Sequence, residues 1–461
     1  MKQLIQQLGR LTTPFLTALV LTACGGGASS TKEKFEGDRI SVLSYETGLR
    51  ADPRLSGSQI TVIPPFRNSS WPNPGGFATH AAYHLELDGL EAGFAIDAVT
   101  GNSSLTRITA APIAAGGKVF AMGAGLDVVA IDAETGAQLW SRSVTADYTE
   151  PNLGLTRFLG YKEKPALLRD GFGGGIAFDN GRVFVTTGFG ELFALNAENG
   201  DIIWRVQSAV AFSNAPTVRA GRLYVASQDS RLQAFSVDDG VLLWDHQAIN
   251  EGATVMGATS AAVNDQIVVA GFSGGEVTAL SPVNGQVAWN ESLTSRGTQV
   301  TPLSQLNAIV GRPVIDRDRV YVTSHGGRTA AIDLRSGERI WTTDVGSIET
   351  PWALGDYVLL ISMEGELVAL TREQGRVRWI TQLPSFENPD DREGRINYAG
   401  PIMAGGKILL AGSNGKLLSI NPMDGALIDT LDIEQPVNVT PIVADGSLYM
   451  LADDGTLIAR R

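Results

Sequence analysis

Few side chains in this sequence could do chemistry, and each sits where its neighbours do not support that chemistry. Gly271-Phe-Ser273-Gly-Gly275 spells G-x-S-x-G, the elbow that exposes a nucleophilic serine between a strand and a helix. Here it follows a strand and occupies a turn that other copies of the same unit fill with GFGE, SQDS, SMEG, GSNG or ADDG, so it reads as a turn between strands. His80 and His84 have the i, i+4 spacing of zinc ligands on a helix, but no acid or cysteine stands nearby at a ligand spacing. Ser324-His325 are neighbours on one strand end and cannot form a triad alone. Asp238-Asp239-Gly240 and Asp453-Asp454-Gly455 lack the spaced ligand series of a calcium loop. Gly171–Gly175 precedes a strand, so no helix N-terminus follows to hold a phosphate. Neither a catalytic group, a metal site nor a cofactor is expected from these residues.

The elements that carry them repeat. Val183–Trp204 reads as three short strands, Val183–Thr187, Leu192–Leu195 and Asp201–Trp204, with Asn199-Gly200 supplying a tight hairpin. A glycine followed four residues later by tryptophan recurs at Gly136/Trp140, Gly200/Trp204, Gly240/Trp244, Gly285/Trp289, Gly337/Trp341 and Gly375/Trp379. In a seventh copy Gly425 is followed by Asp429. Ten residues before each tryptophan stands an alanine (Ala130, Ala194, Ala234, Ala279, Ala331, Ala369), and Ser419 holds that offset from Asp429. A fixed small-to-large spacing across a hairpin predicts an indole seated over a position kept small for it. Trp140 and Trp204 are 64 residues apart, and Trp204 and Trp244 are 40 apart. Such periods of short strands predict an all-β fold, an eight-bladed β-propeller of four-stranded antiparallel blades, over residues 58–461.

Eight B strands support that count: Val119–Met122, Val183–Thr186, Leu223–Ala226, Ile267–Ala270, Val320–Thr323, Val358–Ile361, Ile408–Ala411 and Leu448–Leu451. The last unit ends on a C strand, Leu457-Ile458-Ala459, and a ring does not readily leave that edge open. An N-terminal strand within Gln59–Trp71 is therefore expected to close it, with Gln59–Pro64 the first segment of strand character. Strand alternation puts A–B and C–D turns on one face, and B–C turns with D–A connections on the other. The long D–A insertions, Ser143–Gly175, Asp245–Ser260, Glu291–Arg312 and Leu383–Ala399, must share a face, and long loops on a rigid scaffold are where binding resides.

Composition narrows the partners. The chain has 461 residues, 36 Lys+Arg against 49 Asp+Glu, and a net charge of −13, which argues against a nucleic-acid binder. Gly at 53 residues beside 43% hydrophobic content suits a turn-rich fold. Residues 1–23 have a basic start, Lys2 and Arg10, and an apolar Leu11–Ala23 run too short to span a bilayer comfortably. Leu21-Thr22-Ala23-Cys24 resembles a bacterial lipobox. By that resemblance Cys24, the only cysteine, becomes a lipidated first residue, an anchor to the membrane that multiple acyl chains make lasting. Removing residues 1–23 takes the net charge from −13 to −15. Gly25 rather than Asp after the cysteine resembles the outer-membrane sorting pattern. Residues 24–57, rich in Gly, Ser and charge, read as a flexible tether.

The repeats, of the type L-x-A-L-x-x-x-(T/N)-G-x-x-x-W, resemble those of pyrroloquinoline quinone (PQQ)-type propellers. LFALNAENGDIIW and AAIDLRSGERIW, with the lipobox and tether, are similar across residues 24–461 to the outer-membrane β-barrel assembly lipoprotein BamB family. That resemblance implies a non-enzymatic scaffold on the periplasmic face of the outer membrane. It would bind a POTRA domain of the barrel insertase BamA, work with other assembly-complex members and help present unfolded outer-membrane proteins. In the family two D–A loop segments make the insertase contact; their counterparts here are Ala253, Thr254, Val255 and Met256, and the stretch Leu306–Val310 that begins Leu306-Asn307. The family's arginine and acids are not found at these positions. Two other readings stay open: a PQQ-dependent quinoprotein dehydrogenase, whose adjacent cysteine pair this chain lacks, and a carbohydrate- or envelope-binding lipoprotein.

Overall fold

A computed structural model describes residues 48–55, 60–145, 173–248, 259–293 and 308–461, and the described fold belongs to the unit Leu49–Arg461. Eight four-stranded antiparallel sheets form the blades of a propeller. In blade 2 the strands are Gly174–Asp179, Arg182–Thr187, Glu191–Asn196 and Ile202–Gln207, innermost to outermost. The inner three are buried along most of their length, because both faces of a blade meet other blades; the outermost alternates towards solvent.

The cross-strand pairing expected from the spacing is present residue for residue. Ala130 faces Trp140, Ala194 faces Trp204, Ala234 faces Trp244, Ala279 faces Trp289, Ala331 faces Trp341 and Ala369 faces Trp379. Each alanine leaves room for an indole that also packs on an aromatic of the B strand where one exists. Phe120–Trp140 and Tyr224–Trp244 centroids are 6.0 and 5.9 Å apart.

The glycine four residues before each tryptophan serves the neighbouring blade. Gly200 has φ +73°, and a Cβ there would meet the Trp140 ring at 2.6 Å. Gly240, Gly285, Gly337, Gly375 and Gly425 lie in the same way against Trp204, Trp244, Trp289, Trp341 and Trp379. Each indole N–H also donates to a carbonyl of that turn, Ala197, Val237, Pro282, Leu334, Arg372 or Pro422, at 2.8–3.1 Å. Thus the tryptophan of one blade and the glycine turn of the next form a single joint.

The ring is closed by an N-terminal strand, but not the one expected. Ala92–Asp97 forms the outermost strand of blade 8, with Ala95 opposite Ile458, Ile96 opposite Leu457 and Asp97 opposite Thr456. Ile60–Ile63 forms no strand; the Pro64-Pro65 pair that follows has no N–H to give a ladder. Phe94 takes the tryptophan slot, and a Cβ on Gly136 would meet its ring at 2.7 Å. Phenylalanine has no N–H, so Tyr449 Oη and Arg461 donate instead to the Ala133 carbonyl, at 3.0 and 2.7 Å. The exception in blade 7 follows from the same geometry. The C and D strands of blade 8 come from opposite ends of the unit, so no turn is available to seat a tryptophan, and Asp429 points into solvent.

Residues 68–88 make one circuit of the central channel and bond to the inner end of all eight blades in order. Trp71 exchanges two backbone bonds with Ala114 of blade 1, at 2.6 and 3.0 Å. The Pro72 carbonyl accepts from Phe178 N–H of blade 2 (2.8 Å), and Asn73 Oδ1 from Val218 N–H of blade 3 (2.8 Å). Ala78 and Thr79 carbonyls accept from Val263 and Ile315 of blades 4 and 5, at 2.7 and 2.9 Å. The Tyr83 carbonyl accepts from Trp352 Nε1 of blade 6, at 2.6 Å. Leu85 N–H donates to Met403 of blade 7 and Asp88 N–H to Gly446 of blade 8, at 3.0 and 2.9 Å. Trp71, Ala81, Ala82 and Leu85 are buried within this plug, and the Trp71 ring stacks on Trp352 with centroids 6.5 Å apart. Inner strand edges are therefore paired rather than left open. The described end of the expected tether, Leu49–Leu55, lies against blade 6, where Asp52 N–H donates to the Val377 carbonyl at 2.8 Å.

The joint and the plug should each carry a large share of stability. Trp140→Ala and Trp71→Ala are each expected to cost about 3–5 kcal/mol, whereas Asp429→Ala should change stability by less than about 0.5 kcal/mol. Urea unfolding midpoints of the three variants check this.

Candidate docking face and channel

The residues proposed from sequence to contact a partner, Ala253, Thr254, Val255, Met256, Leu306 and Asn307, lie outside the described residues, as does Cys24. The roots of the two loops are described, and they belong to adjacent blades. Thr259 ends the first loop and Ala308–Val310 ends the second; Thr259 Oγ1 donates to the Ile309 carbonyl at 3.1 Å. Asn214 of the preceding blade fixes Thr259 through two amide bonds, at 2.7 and 2.9 Å. Both loops therefore spring from one hydrogen-bonded patch of the D–A face. Ala308, Ile309 and Val310 are themselves buried; Ile309 packs against Gly271, and its N–H donates to the Phe272 carbonyl at 3.1 Å. That end of the second stretch anchors the loop and offers no contact surface.

A third feature of this face went unnoticed in the sequence beyond its length. The insertion after blade 6 folds into a hairpin, Phe386–Asn388 paired with Glu393–Arg395. Glu387, Asp390, Asp391 and Glu393 on it are exposed. Its base is held by Ile396 N–H to the Ser385 carbonyl at 3.0 Å and Tyr398 Oη to the Pro384 carbonyl at 2.9 Å. The run Glu387-Asn-Pro-Asp-Asp391 is a turn signal, and it was the available clue.

Near the plug, the start of the inner strand of blade 5 carries a buried charge. Arg312 precedes Pro313, at the start of the inner strand of blade 5, and is 7% exposed. Its Nη1 donates to Thr350 Oγ1 of blade 6 at 3.3 Å. His80 of the plug is 2% exposed, with Nδ1 2.7 Å from the Pro313 carbonyl. That contact assigns the ring proton to Nδ1. Burial, reinforced by the Arg312 charge, holds the imidazole down at about 3, so it is neutral near pH 7. Glu349 on the next blade is pushed up to about 7 by burial, against the opposing pull of Arg312 and a hydrogen bond from Gly400 N–H.

The remaining chemical candidates are structural. Gly271–Gly275 spans the B–C turn between Val268–Gly271 and Glu276–Leu280. His80 and His84 lie on irregular plug backbone rather than a helix; His84 Nδ1 is 2.6 Å from the Ile63 carbonyl and its Nε2 accepts from Gly406 N–H at 3.0 Å. Among the described residues no cluster of three or more His, Cys, Asp or Glu is placed to hold a metal, and no helix is long and apolar enough to cross a membrane.

A closed eight-bladed disc with tryptophan–glycine joints and a plugged centre defines a repeat propeller whose long D–A connections leave from one face. Comparison with known proteins gives the family. The model of the outer membrane protein assembly factor BamB family matches residues 96–158 and 127–381, and the chain belongs to that family. The outer membrane protein assembly factor BamB of Yersinia pestis is 27% identical over 333 residues, covering 72% of this chain and 79% of that protein. Among solved structures, BamB of Moraxella catarrhalis superposes with a TM-score of 0.63 at 18% identity, over 80% of this chain and 99% of that one. The quinohemoprotein alcohol dehydrogenase of Comamonas testosteroni shares the fold, with a TM-score of 0.63 at 14% identity over 86% of this chain and 80% of that one.

Glu349 gives a pH signature. Its folded value lies above the ordinary carboxylate value of about 4.3, so between roughly pH 4.5 and 7 the folded chain holds a proton that the unfolded chain has lost. Its contribution to stability is therefore fully present below that window and declines as pH rises through it. Glu349→Gln should be more stable than the parent at pH 8 and indistinguishable from it near pH 4.5. Thermal midpoints of both proteins across that range, with Arg312 and His80 retained, test the sign.

Proposed function

We propose that this chain is a non-enzymatic scaffold for outer-membrane protein assembly. Its D–A face holds a periplasmic POTRA domain of the BamA-type insertase, and lipidated Cys24 anchors it to the periplasmic face of the outer membrane. Membership of the BamB family is the observation that carries the reading. The geometry supports it: loops carrying Ala253–Met256 and Leu306-Asn307 are rooted in one patch, through Thr259 and Ile309, on a body stiffened by its joints and plug. A rigid body loses little conformational freedom on docking, so loop contacts translate into affinity. Exposed outermost strands, such as Ile202–Gln207 with Ile202 and Ile203 nearly half exposed, are suited to hold extended segments of unfolded barrel proteins by strand addition.

Affinity purification of the full-length lipidated protein from gently solubilised native membranes tests this reading. Recovery of the insertase is expected, with at least about tenfold loss in Val255→Asp and Met256→Asp, as for a contact truncated at an interface centre. Loss of the insertase from the parent purification, while the insertase complex stays intact in the same extract, would overturn the scaffold reading in favour of envelope binding. Cys24→Ser should release the protein from the outer-membrane fraction, measured by sucrose-gradient fractionation.

A further inference from the structure

Arg312 is a buried cation whose compensation among the described residues is incomplete. The residue before the proline that opens the inner strand is Ala111 in blade 1, Ala215 in blade 3, Thr350 in blade 6, Gly400 in blade 7 and Thr440 in blade 8. Blade 5 places a guanidinium at that position. No carboxylate lies within ion-pair distance of it among the described residues; one nitrogen reaches Thr350 Oγ1 at 3.3 Å and its buried Nε has no partner. Next to it in the chain, the Pro313 carbonyl holds His80 of the plug, which has committed Nδ1–H to that bond. Its Nε2 is then a bare acceptor, also buried and without a partner. Leaving a charged donor and a lone pair both unsatisfied out of water is costly. The neighbouring acid, Glu349, acts on Arg312 only through space.

A water meets both hydrogen-bond vacancies without balancing the guanidinium charge; a group with anionic oxygen for the guanidinium and an O–H for the imidazole does both. We propose that the channel on the D–A side of the plug binds a small oxyanion bearing a hydroxyl, either a hydrogen phosphate group or a 2-hydroxycarboxylate. Arg312 is its charge partner, Thr350 braces Arg312, and His80 Nε2 reads the hydroxyl. The other blades that open on this proline carry no charge at the equivalent position, so the cationic contact is supplied by blade 5. Glu349 opposes the anion and sets its affinity. Fixed by the plug as well as by two blades, the site would link channel occupancy to how firmly the N-terminal circuit is seated.

The test is isothermal titration of the full-length chain in detergent micelles with inorganic phosphate, glycolate, sulfate and acetate near pH 7. Phosphate or glycolate should bind saturably, at least about tenfold tighter than sulfate or acetate, which lack the donor O–H. Which of the two binds distinguishes the phosphate from the hydroxycarboxylate source. Arg312→Gln should weaken binding by about tenfold or more, and Glu349→Gln should strengthen it severalfold. The two variants have opposite signs, so a folding defect in Arg312→Gln leaves the Glu349→Gln measurement decisive. Absence of saturation by any of the four at about 20 mM, or undiminished binding in folded Arg312→Gln, overturns the proposal. Equal affinity for sulfate and phosphate overturns the assignment of His80.

Discussion

Six of the eight blade boundaries depend on the contact in which an indole of one blade lies on the glycine turn of the next and donates its N–H to that turn. A four-stranded sheet this narrow is not stable by itself, because too much of its surface faces out. The joint supplies apolar area and a directional bond in one place: Trp204 over Gly240, for instance, with Nε1 3.1 Å from the Val237 carbonyl. The directional part matters because apolar packing alone would let blades slide past one another. Area burial contributes the larger energy, about 2–3 kcal/mol for a side chain of this size, while the hydrogen bond, at about 1 kcal/mol, fixes the angle between blades. Where no turn exists to receive an indole, at the blade 7–blade 8 boundary, the tryptophan is replaced by an exposed aspartate. Where the closing strand brings phenylalanine, Tyr449 and Arg461 provide the missing donors.

The joints act at the rim side of the disc, and the plug does the corresponding work at its centre. Inner strands of a propeller have a free edge facing the channel, and eight such edges converge there. The circuit from Trp71 to Asp88 bonds to them mainly through backbone groups that a Pro- and Gly-rich segment could not have satisfied within a helix of its own, with the Asn73 and Trp352 side chains completing blades 3 and 6. Further ties hold it in place: Tyr83 Oη donates to Asp316 at 3.0 Å, and Arg67 bridges Glu86, Asp88 and Asp445. The exposed Arg67 cluster contributes little individually, but Asp316 is buried with Arg372 beside it, so Tyr83 is set against a rigid base.

The parts of this architecture that were legible in the sequence are those whose partners lie close along the chain. Ala194 and Trp204 are ten residues apart and pair directly, so their spacing is a true register. The tryptophan–glycine joint was visible as a motif, although its meaning as a contact between blades was not, because Gly200 repeats with Trp204 while packing on Trp140. Ala92–Asp97 escaped notice since its partner is Leu457-Ile458 at the other end of the unit, and Phe94 hides the tryptophan signature. Gln59–Pro64 looks like a strand by composition, yet it ends in the pair Pro64-Pro65, which cannot supply a ladder. The plug has no period at all; only its Pro and Gly content and the two histidines marked it, and the histidines' zinc-like spacing has no ligand partners beside it. Loop residues such as Val255 and Met256 were chosen from resemblance, and periodicity has no purchase on them.

The plug also has an arithmetic consequence. Propeller repeats are nearly interchangeable, and duplicating or losing one would leave every joint chemically intact. The circuit of residues 68–88, however, presents one bonding group to each blade in turn and returns to its start, where the Asn68 carbonyl accepts from Asp445 N–H at 2.7 Å. A ring of seven would leave one of those groups without a partner, and a ring of nine would leave an inner edge uncovered. The N-terminal segment is in this sense a template of fixed circumference: it counts the blades, and the count it accepts is eight.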